Sequence, residues 1–187
     1  MSQLGIEAFK NETCKSLISS QSHTIVFKSR VDSRFDKNRI VSHNKLTMKS
    51  SIITKASDIF PLSKKADVIA IGPGLGLSAH AQSILSCVLD TNLPLVLDAD
   101  ALKLLAKDSC RRENWILTPH PGEASALLGI KSSDIQKDRF ESAKKIQKLY
   151  GGICVLKGSG TIIATEKKLF ICNKGNPGMA TAGMGDA

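Results

Sequence analysis

Aromatic residues are scarce, at 4% of 187 positions with one Trp and one Tyr. With 42% apolar content the chain still has material for one core, but Ile, Leu, Val and Ala must fill it, the palette of a parallel sheet covered by helices. No apolar run reaches the roughly 20 residues of a membrane-spanning helix. Met1 to Lys15 lacks the apolar stretch of a secretory signal. The five cysteines, Cys14, Cys87, Cys110, Cys154 and Cys172, are odd in number and lack metal-site spacing. They read as reduced and mostly buried thiols in a cytoplasmic protein. Repeats, low-complexity tracts and the P-loop phosphate pattern are also missing.

The formal charge of +9 is uneven. Residues 1–66 hold 12 Lys and Arg against 5 Asp and Glu, whereas residues 67–187 hold 14 against 12. A nucleic-acid surface is one reading of such an excess. The charges are scattered and aromatics are few, so a solvated segment is the better reading, and neither nucleic acid nor membrane is expected as a partner. Within this third, Thr24 to Lys28 reads as a strand and Ser51 to Ile59 as a short helix or strand.

From Asp67 onward, apolar runs of strand length alternate with helical stretches. Val68 to Ile71 ends in Gly72-Pro73-Gly74-Leu75-Gly76, after which Ser78 suits the cap of a helix carrying Ala79, Ile84, Leu85 and Val88 on its apolar side. Leu95 to Leu97 ends in Asp98-Ala99-Asp100, with a helix around Leu102 to Lys107. Trp115 to Leu117 ends in Thr118-Pro119-His120-Pro121-Gly122-Glu123. Asp134 to Tyr150 reads as one amphipathic helix with Phe140, Ala143, Ile146 and Leu149 at three-residue steps. Ile153 to Leu156 ends in Lys157-Gly158-Ser159-Gly160-Thr161, and a hairpin around Glu166-Lys167 follows. This is the pattern of a doubly wound α/β sheet, in which ligands gather at the carboxyl ends of the strands. Every distinctive motif falls at such an end.

Taken singly, each motif also has a plain structural reading. The glycines of Gly72–Gly76 let backbone approach a ligand or simply make a turn. Asp98 and Asp100 can face one side and hold a cation through water, or Asp100 can cap the following helix. His120, fixed between two prolines, can hydrogen-bond a polar ligand or carry a proton near neutral pH, while Pro121 and Glu123 suit a first helical turn. His23, His43 and His80 lack such a frame and read as surface residues. Lys157–Thr161 offers a cation, hydroxyls and backbone donors for a phosphate, or is a hairpin turn with an exposed lysine. The ending Gly183-Met184-Gly185-Asp186 is a turn that lets N–H groups approach an anion, with a carboxylate placed to move a proton.

In this order the motifs resemble those of the ADP/ATP-dependent NAD(P)H-hydrate dehydratase family. The resemblance runs over residues 67–187 and is carried most specifically by Leu156-Lys157-Gly158-Ser159-Gly160-Thr161 and the Gly175 to Asp186 segment. It implies a ribokinase-like fold, a mostly parallel doubly wound sheet flanked by helices and incomplete at both ends. Residues 67–187 are then the dehydratase domain without its C-terminal helices, and residues 1–66 a basic, incomplete part of the same domain. The implied reaction restores NAD(P)H from its 6-hydroxylated hydrate at the expense of ADP or ATP, with Mg2+.

The resemblance also implies roles for residues. Asp186 is the catalytic base and touches substrate, and Gly183 and Gly185 form the anion hole, Gly185 also touching nucleotide. Gly74, Gly76 and His120 contact the hydrated dinucleotide. Lys157, Gly158, Ser159, Gly160 and Thr161 contact the nucleotide, and Glu123 and Asn176 stand near the metal. Because both edges look shortened, self-association or a complementary polypeptide is expected. An inactive remnant, or a ribokinase-fold kinase of a small vitamin precursor, stands as the alternative.

Overall fold

The structure is a computed structural model that describes residues 24–28, 49–53, 56–64 and 66–172. The whole Gly175 to Asp186 segment, with Asn176, Gly183, Gly185 and Asp186, lies outside the described residues, as do Cys14, His23 and His43.

Among the described residues, eight strands make one mixed sheet: β1 Thr24–Lys28, β2 Lys49–Ile53, β3 Val68–Ile71, β4 Leu95–Leu97, β5 Trp115–Leu117, β6 Ile153–Leu156, β7 Thr161–Ala164 and β8 Leu169–Cys172. Their order across the sheet is β2-β1-β3-β4-β5-β6-β7-β8. The four central strands β3 to β6 run parallel, and the outer pairs are antiparallel. Thr24 to Lys28 is the strand that its sequence suggests. It pairs with β3, Val26 opposite Ile69, so this part of the first 66 residues belongs to the same sheet. The stretch after β2 forms a 3-10 turn, Ala56–Asp58, and the short helix α1, Ile59–Ser63.

The helices that follow are α2 Ala79–Leu89, α3 Ala99–Lys107, α4 Pro121–Leu128, α5 Ser132–Lys137 and α6 Arg139–Tyr150. Each central strand is short and strongly apolar; Leu95, Val96 and Leu97 are all buried, as suits a strand covered on both faces. Ser78 caps α2 as expected, its hydroxyl accepting from the Ala81 N–H at 3.2 Å. The buried side of α2 carries Ala81, Ile84, Leu85 and Val88; Ala79 faces solvent. The one Trp and the one Tyr meet at one junction. The Trp115 indole donates to Tyr150 O at 3.2 Å, and the Tyr150 hydroxyl donates to Leu127 O at 2.9 Å, tying β5, α6 and α4 together.

The single helix expected over Asp134 to Tyr150 is two helices. Asp138 breaks it with a non-helical backbone and caps α6, its carboxylate accepting from the Glu141 N–H at 2.9 Å. The proposed apolar stripe also fails. Phe140 and Leu149 are nine residues apart, about two and a half turns, and so lie on opposite sides of a helix. They are 45% and 53% exposed, and the core contact is made by Ala143, Ile146 and Tyr150. None of the described helices is long and apolar enough to cross a membrane.

Candidate active site

The four parallel strands deliver four motifs to one end of the sheet. Gly72 to Gly76 leaves β3, Asp98 leaves β4, Thr118 to His120 leaves β5 and Lys157 to Gly160 leaves β6. Hydrogen bonds join these exits directly. The Asp98 N–H donates to Ile71 O at 3.1 Å, the Thr118 N–H to Leu97 O at 3.0 Å and the Lys157 N–H to Pro119 O at 2.8 Å. Each parallel ladder thus continues one step past its strand and fixes the next loop.

The first two loops touch at Gly72. Its φ is +137°, and a Cβ there would come within 1.7 Å of Asp98 O. Only glycine fits, for both conformation and space. Further on, the Gly76 N–H donates to the Asp100 carboxylate at 3.0 Å. Asp98, rather than Asp100, caps α3, accepting from the Ala99 N–H at 2.9 Å. Asp100 instead lies in the first helical turn and holds the glycine loop. Ala99 has a φ of +48°, the one positive φ at a non-glycine residue among those described. Such a conformation costs about 1–2 kcal/mol and occurs where the surroundings fix it.

The third loop carries His120 and Glu123. His120 is the N-cap of α4: its Nδ1 accepts from the N–H groups of Gly122 at 2.9 Å and Glu123 at 3.4 Å. Two donors at Nδ1 place the ring proton of the neutral tautomer on Nε2. Glu123 reciprocates, its Oε2 accepting from the His120 N–H at 2.9 Å, which completes a capping box. The half-exposed imidazole thus carries its donor on Nε2, which lies 3.4 Å from Glu123 Oε1. Glu123 is 3% exposed. Burial raises its carboxyl above the ordinary carboxylate range, while the His120 N–H and the nearby Lys157 ammonium act in the opposite direction.

The fourth loop begins with Lys157, which is not an exposed lysine on a turn. Its side chain is 17% exposed, and its ammonium lies 2.8 Å from Asp98 Oδ1 and 3.9 Å from Glu123 Oε2. The ammonium therefore bridges the ends of β4, β5 and β6. Glycines give the rest of the loop positive φ, +140° at Gly158 and +67° at Gly160. Arg139, at the start of α6, braces it from behind by donating to the carbonyls of Leu156, Lys157 and Ser159.

The structure thus gathers Gly74, Gly76, His120, Glu123 and Lys157 to Thr161 at one end of the sheet. Sequence reasoning passed over Arg139. The Asp138–Glu141 spacing is itself a capping signature, and it would have ended the preceding helix and put Arg139 in a first turn. The Asp98–Lys157 pair, separated by 59 positions, leaves no local signal. His80 is exposed, as a surface residue should be.

A divalent cation does not fit the described residues. No group of three or more His, Cys, Asp or Glu gathers among them. Glu123 already caps a helix and faces an ammonium, where a metal would meet like charge.

Fold and site define a ribokinase-like α/β protein with a composite site at the strand ends. The chain is similar to a ribokinase-like superfamily protein from Enterococcus faecalis, with TM-score 0.61 and 34% identity over 70% of this chain and 47% of that one. It belongs to the NAD(P)H-hydrate dehydratase family, whose model matches residues 37–187. Among relatives, it is 55% identical to the bifunctional NAD(P)H-hydrate repair enzyme Nnr of Coxiella burnetii over 135 residues, 72% of this chain and 28% of that protein. It is also similar to the ADP/ATP-dependent NAD(P)H-hydrate dehydratase of Bacillus subtilis, co-crystallized with ATP/Mg2+, with TM-score 0.54 and 34% identity over 63% of this chain and 44% of that one.

Proposed function

We propose that this chain performs, or forms part of a protein that performs, the nucleotide-dependent dehydration of 6-hydroxylated (S)-NAD(P)H hydrate to NAD(P)H. The observation that carries the reading is the joining of the Gly72–Gly76, His120 and Lys157–Thr161 loops at one end of the sheet, through Gly76–Asp100, Asp98–Lys157 and Lys157–Pro119. The family membership supports this reaction for that geometry.

In the proposed sequence, the carboxylate of Asp186 takes the proton of the ring hydroxyl at carbon 6. The oxygen then attacks the terminal phosphoryl group of ADP or ATP, releasing AMP or ADP. Gly183 and Gly185 supply N–H groups toward the charge on the transferring phosphoryl. The C6–O bond of the phosphate ester then breaks as the ring nitrogen donates its electron pair, and loss of a proton from carbon 5 completes the double bond. Inorganic phosphate leaves. His120 offers its Nε2–H to the dinucleotide, and the Gly74–Gly76 backbone lies against it. The Lys157–Thr161 loop takes the adenine nucleotide through its backbone and hydroxyls. Mg2+ offsets phosphoryl oxygen charge in such transfers. Glu123, engaged in the α4 cap and facing the Lys157 ammonium, does not suit that ion, and Asn176 is the candidate for it. We place the reaction in the cytoplasm, which suits cysteines without disulfides among the described residues; of these only Cys154 is buried, while Cys110 and Cys172 are exposed, against the expectation of mostly buried thiols. A second copy or a complementing polypeptide as partner is supported by the exposed Phe170 and Ile171 on β8.

The test is recovery of reduced-nicotinamide absorbance from the hydrate in the presence of Mg2+ and either ADP or ATP. The expected result is nucleotide-dependent recovery that Asp186→Asn abolishes while nucleotide affinity stays within about twofold. Turnover that survives in Asp186→Asn would refute the assigned base. Absence of recovery beside a working family enzyme would leave the chain without this activity on its own.

A further inference from the structure

Arg139 faces the Lys157–Gly160 loop from the side of α6. Its Nη2 donates to Leu156 O at 3.4 Å and Lys157 O at 3.3 Å, and its Nη1 donates to Ser159 O. A Cβ on Gly158 would lie 2.8 Å from Nη2, so the guanidinium occupies the space that a side chain at that position would need. One cation therefore gathers three carbonyls of four consecutive residues.

The consequence follows from peptide geometry. In a trans peptide unit the C=O and the next residue's N–H point in opposite directions. The Leu156 carbonyl turns toward Arg139, and the Lys157 N–H on the same plane duly points away, to Pro119 O at 2.8 Å. By the same rule, the Lys157 and Ser159 carbonyls aim the N–H groups of Gly158 and Gly160 away from Arg139. Neither N–H has a hydrogen-bond partner among the described residues. Both belong to glycines with positive φ, a backbone form that makes anion-binding concavities. The Lys157 ammonium, meanwhile, lies against Asp98 and Glu123.

We propose that Arg139 is a positioning residue for the nucleotide: by holding the carbonyls of Lys157 and Ser159 it presents the Gly158 and Gly160 N–H groups as a phosphate-binding pair. Its own charge stays on the far side of the loop and touches no ligand. The inference rests on the nucleotide reading of this loop given above.

The experiment compares Arg139→Met and Arg139→Lys with the full wild-type chain, below the melting temperature of each. ADP and ATP affinities are measured by calorimetry with Mg2+, and KM for nucleotide and for hydrate are measured separately. A single ammonium cannot brace three carbonyls in a plane. The expected result is at least about tenfold weaker nucleotide binding in Arg139→Met, roughly threefold in Arg139→Lys, and hydrate KM within about twofold in both, since losing two well-aimed donors to a charged group exceeds the factor of ten that 1.4 kcal/mol represents. Nucleotide affinity within twofold of wild type in both variants would overturn the proposal alone. Equal weakening for nucleotide and hydrate would overturn it too, because that is the mark of a general loss of order. A wild-type chain that binds neither ADP nor ATP would overturn the nucleotide reading and this inference with it. Should Arg139→Met fail to fold, the Arg139→Lys comparison decides on the same criteria.

Discussion

The Asp98–Lys157 pair should hold the ends of β4 and β6 together, and its contribution can be isolated. Neighbouring strands are about 4.8 Å apart, so a link from β4 to β6 must pass over β5, roughly 10 Å. A lysine stem has that reach when its partner leans inward, and here the ammonium sits 2.8 Å from Asp98 Oδ1. Asp98 has a second task, capping α3 through the Ala99 N–H. Asp98→Asn keeps a capping oxygen and removes only the charge, whereas Asp98→Ala removes both. The difference between those two variants is the cap alone, about 1 kcal/mol.

The charge part is intermediate in size. The two side chains are 17% and 30% exposed, between a surface pair at about 0–1 kcal/mol and a buried pair whose breaking costs about 3–5 kcal/mol. Asp98→Asn should therefore cost about 2 kcal/mol, a fall in melting temperature of about 4–8 °C for a chain of this size. Lys157→Met keeps most of the stem but leaves Asp98 and Glu123 without their shared cation, and should cost at least as much. The assay is a thermal double-mutant cycle with Asp98→Asn and Lys157→Met, followed by circular dichroism. The expected coupling is about 1–2 kcal/mol. A coupling below about 0.5 kcal/mol, the scatter of independent sites, would refute the claim that this pair ties the strands.

Three further outcomes follow from the same geometry. Gly72→Ala should destabilise by at least about 2 kcal/mol more than Gly76→Ala, because a Cβ at Gly72 meets Asp98 O at 1.7 Å while one at Gly76 meets nothing within 4 Å and faces only its φ of +78°; equal losses in a denaturant titration would contradict the close approach. The raised Glu123 carboxyl favours the folded state fully below its ordinary value of 4.5 and loses that benefit as pH rises through the higher folded value, so the stability of Glu123→Gln relative to wild type should climb with pH from about 4.5 and then level off; urea midpoints between pH 4 and 8 showing a constant difference would refute it. Burial pushes the Cys154 thiol up to about 12, so at pH 8 iodoacetamide should label the exposed Cys110 and Cys172 but reach Cys154 only after unfolding; native labelling of Cys154 would show that β6 opens readily.

The parallel strands and their loops were legible because their signals are local. Apolar runs bounded by Gly, Pro and Asp mark β3 to β6, and Ser78 and Pro121 mark helix starts. The α5–α6 break is less legible, because three-residue apolar spacing suggests one helix running across the Asp138 cap, although Phe140 and Leu149 cannot share a helix face. Which carboxylate caps α3 is not legible locally, because both Asp98 and Asp100 suit that helix start. What separates them is long-range: Gly76 claims Asp100 and Lys157 claims Asp98. Contacts spanning 24 and 59 positions are set by the order of strands in the sheet, which no local window contains.

That long-range network changes how the site should be read. In sequence, Lys157 looks like the cation of a phosphate loop, and Glu123 and Asp98 look like metal-binding carboxylates. In the structure these three charges satisfy one another: one ammonium lies between two carboxylates, and a reciprocal helix cap holds one of the carboxylates from behind. Their combined charge is close to that of a single anion, so the cluster cannot be the main attraction for a nucleotide. What these residues do is fix three loop exits against one another, which is what backbone donors need in order to face a ligand without reorganising. Recognition at this end of the sheet is then carried by peptide N–H groups on glycines and by the Nε2–H of His120, all neutral donors held by charged neighbours. A site built this way loses ligand affinity when a bracing charge is removed, even though that charge never touches the ligand.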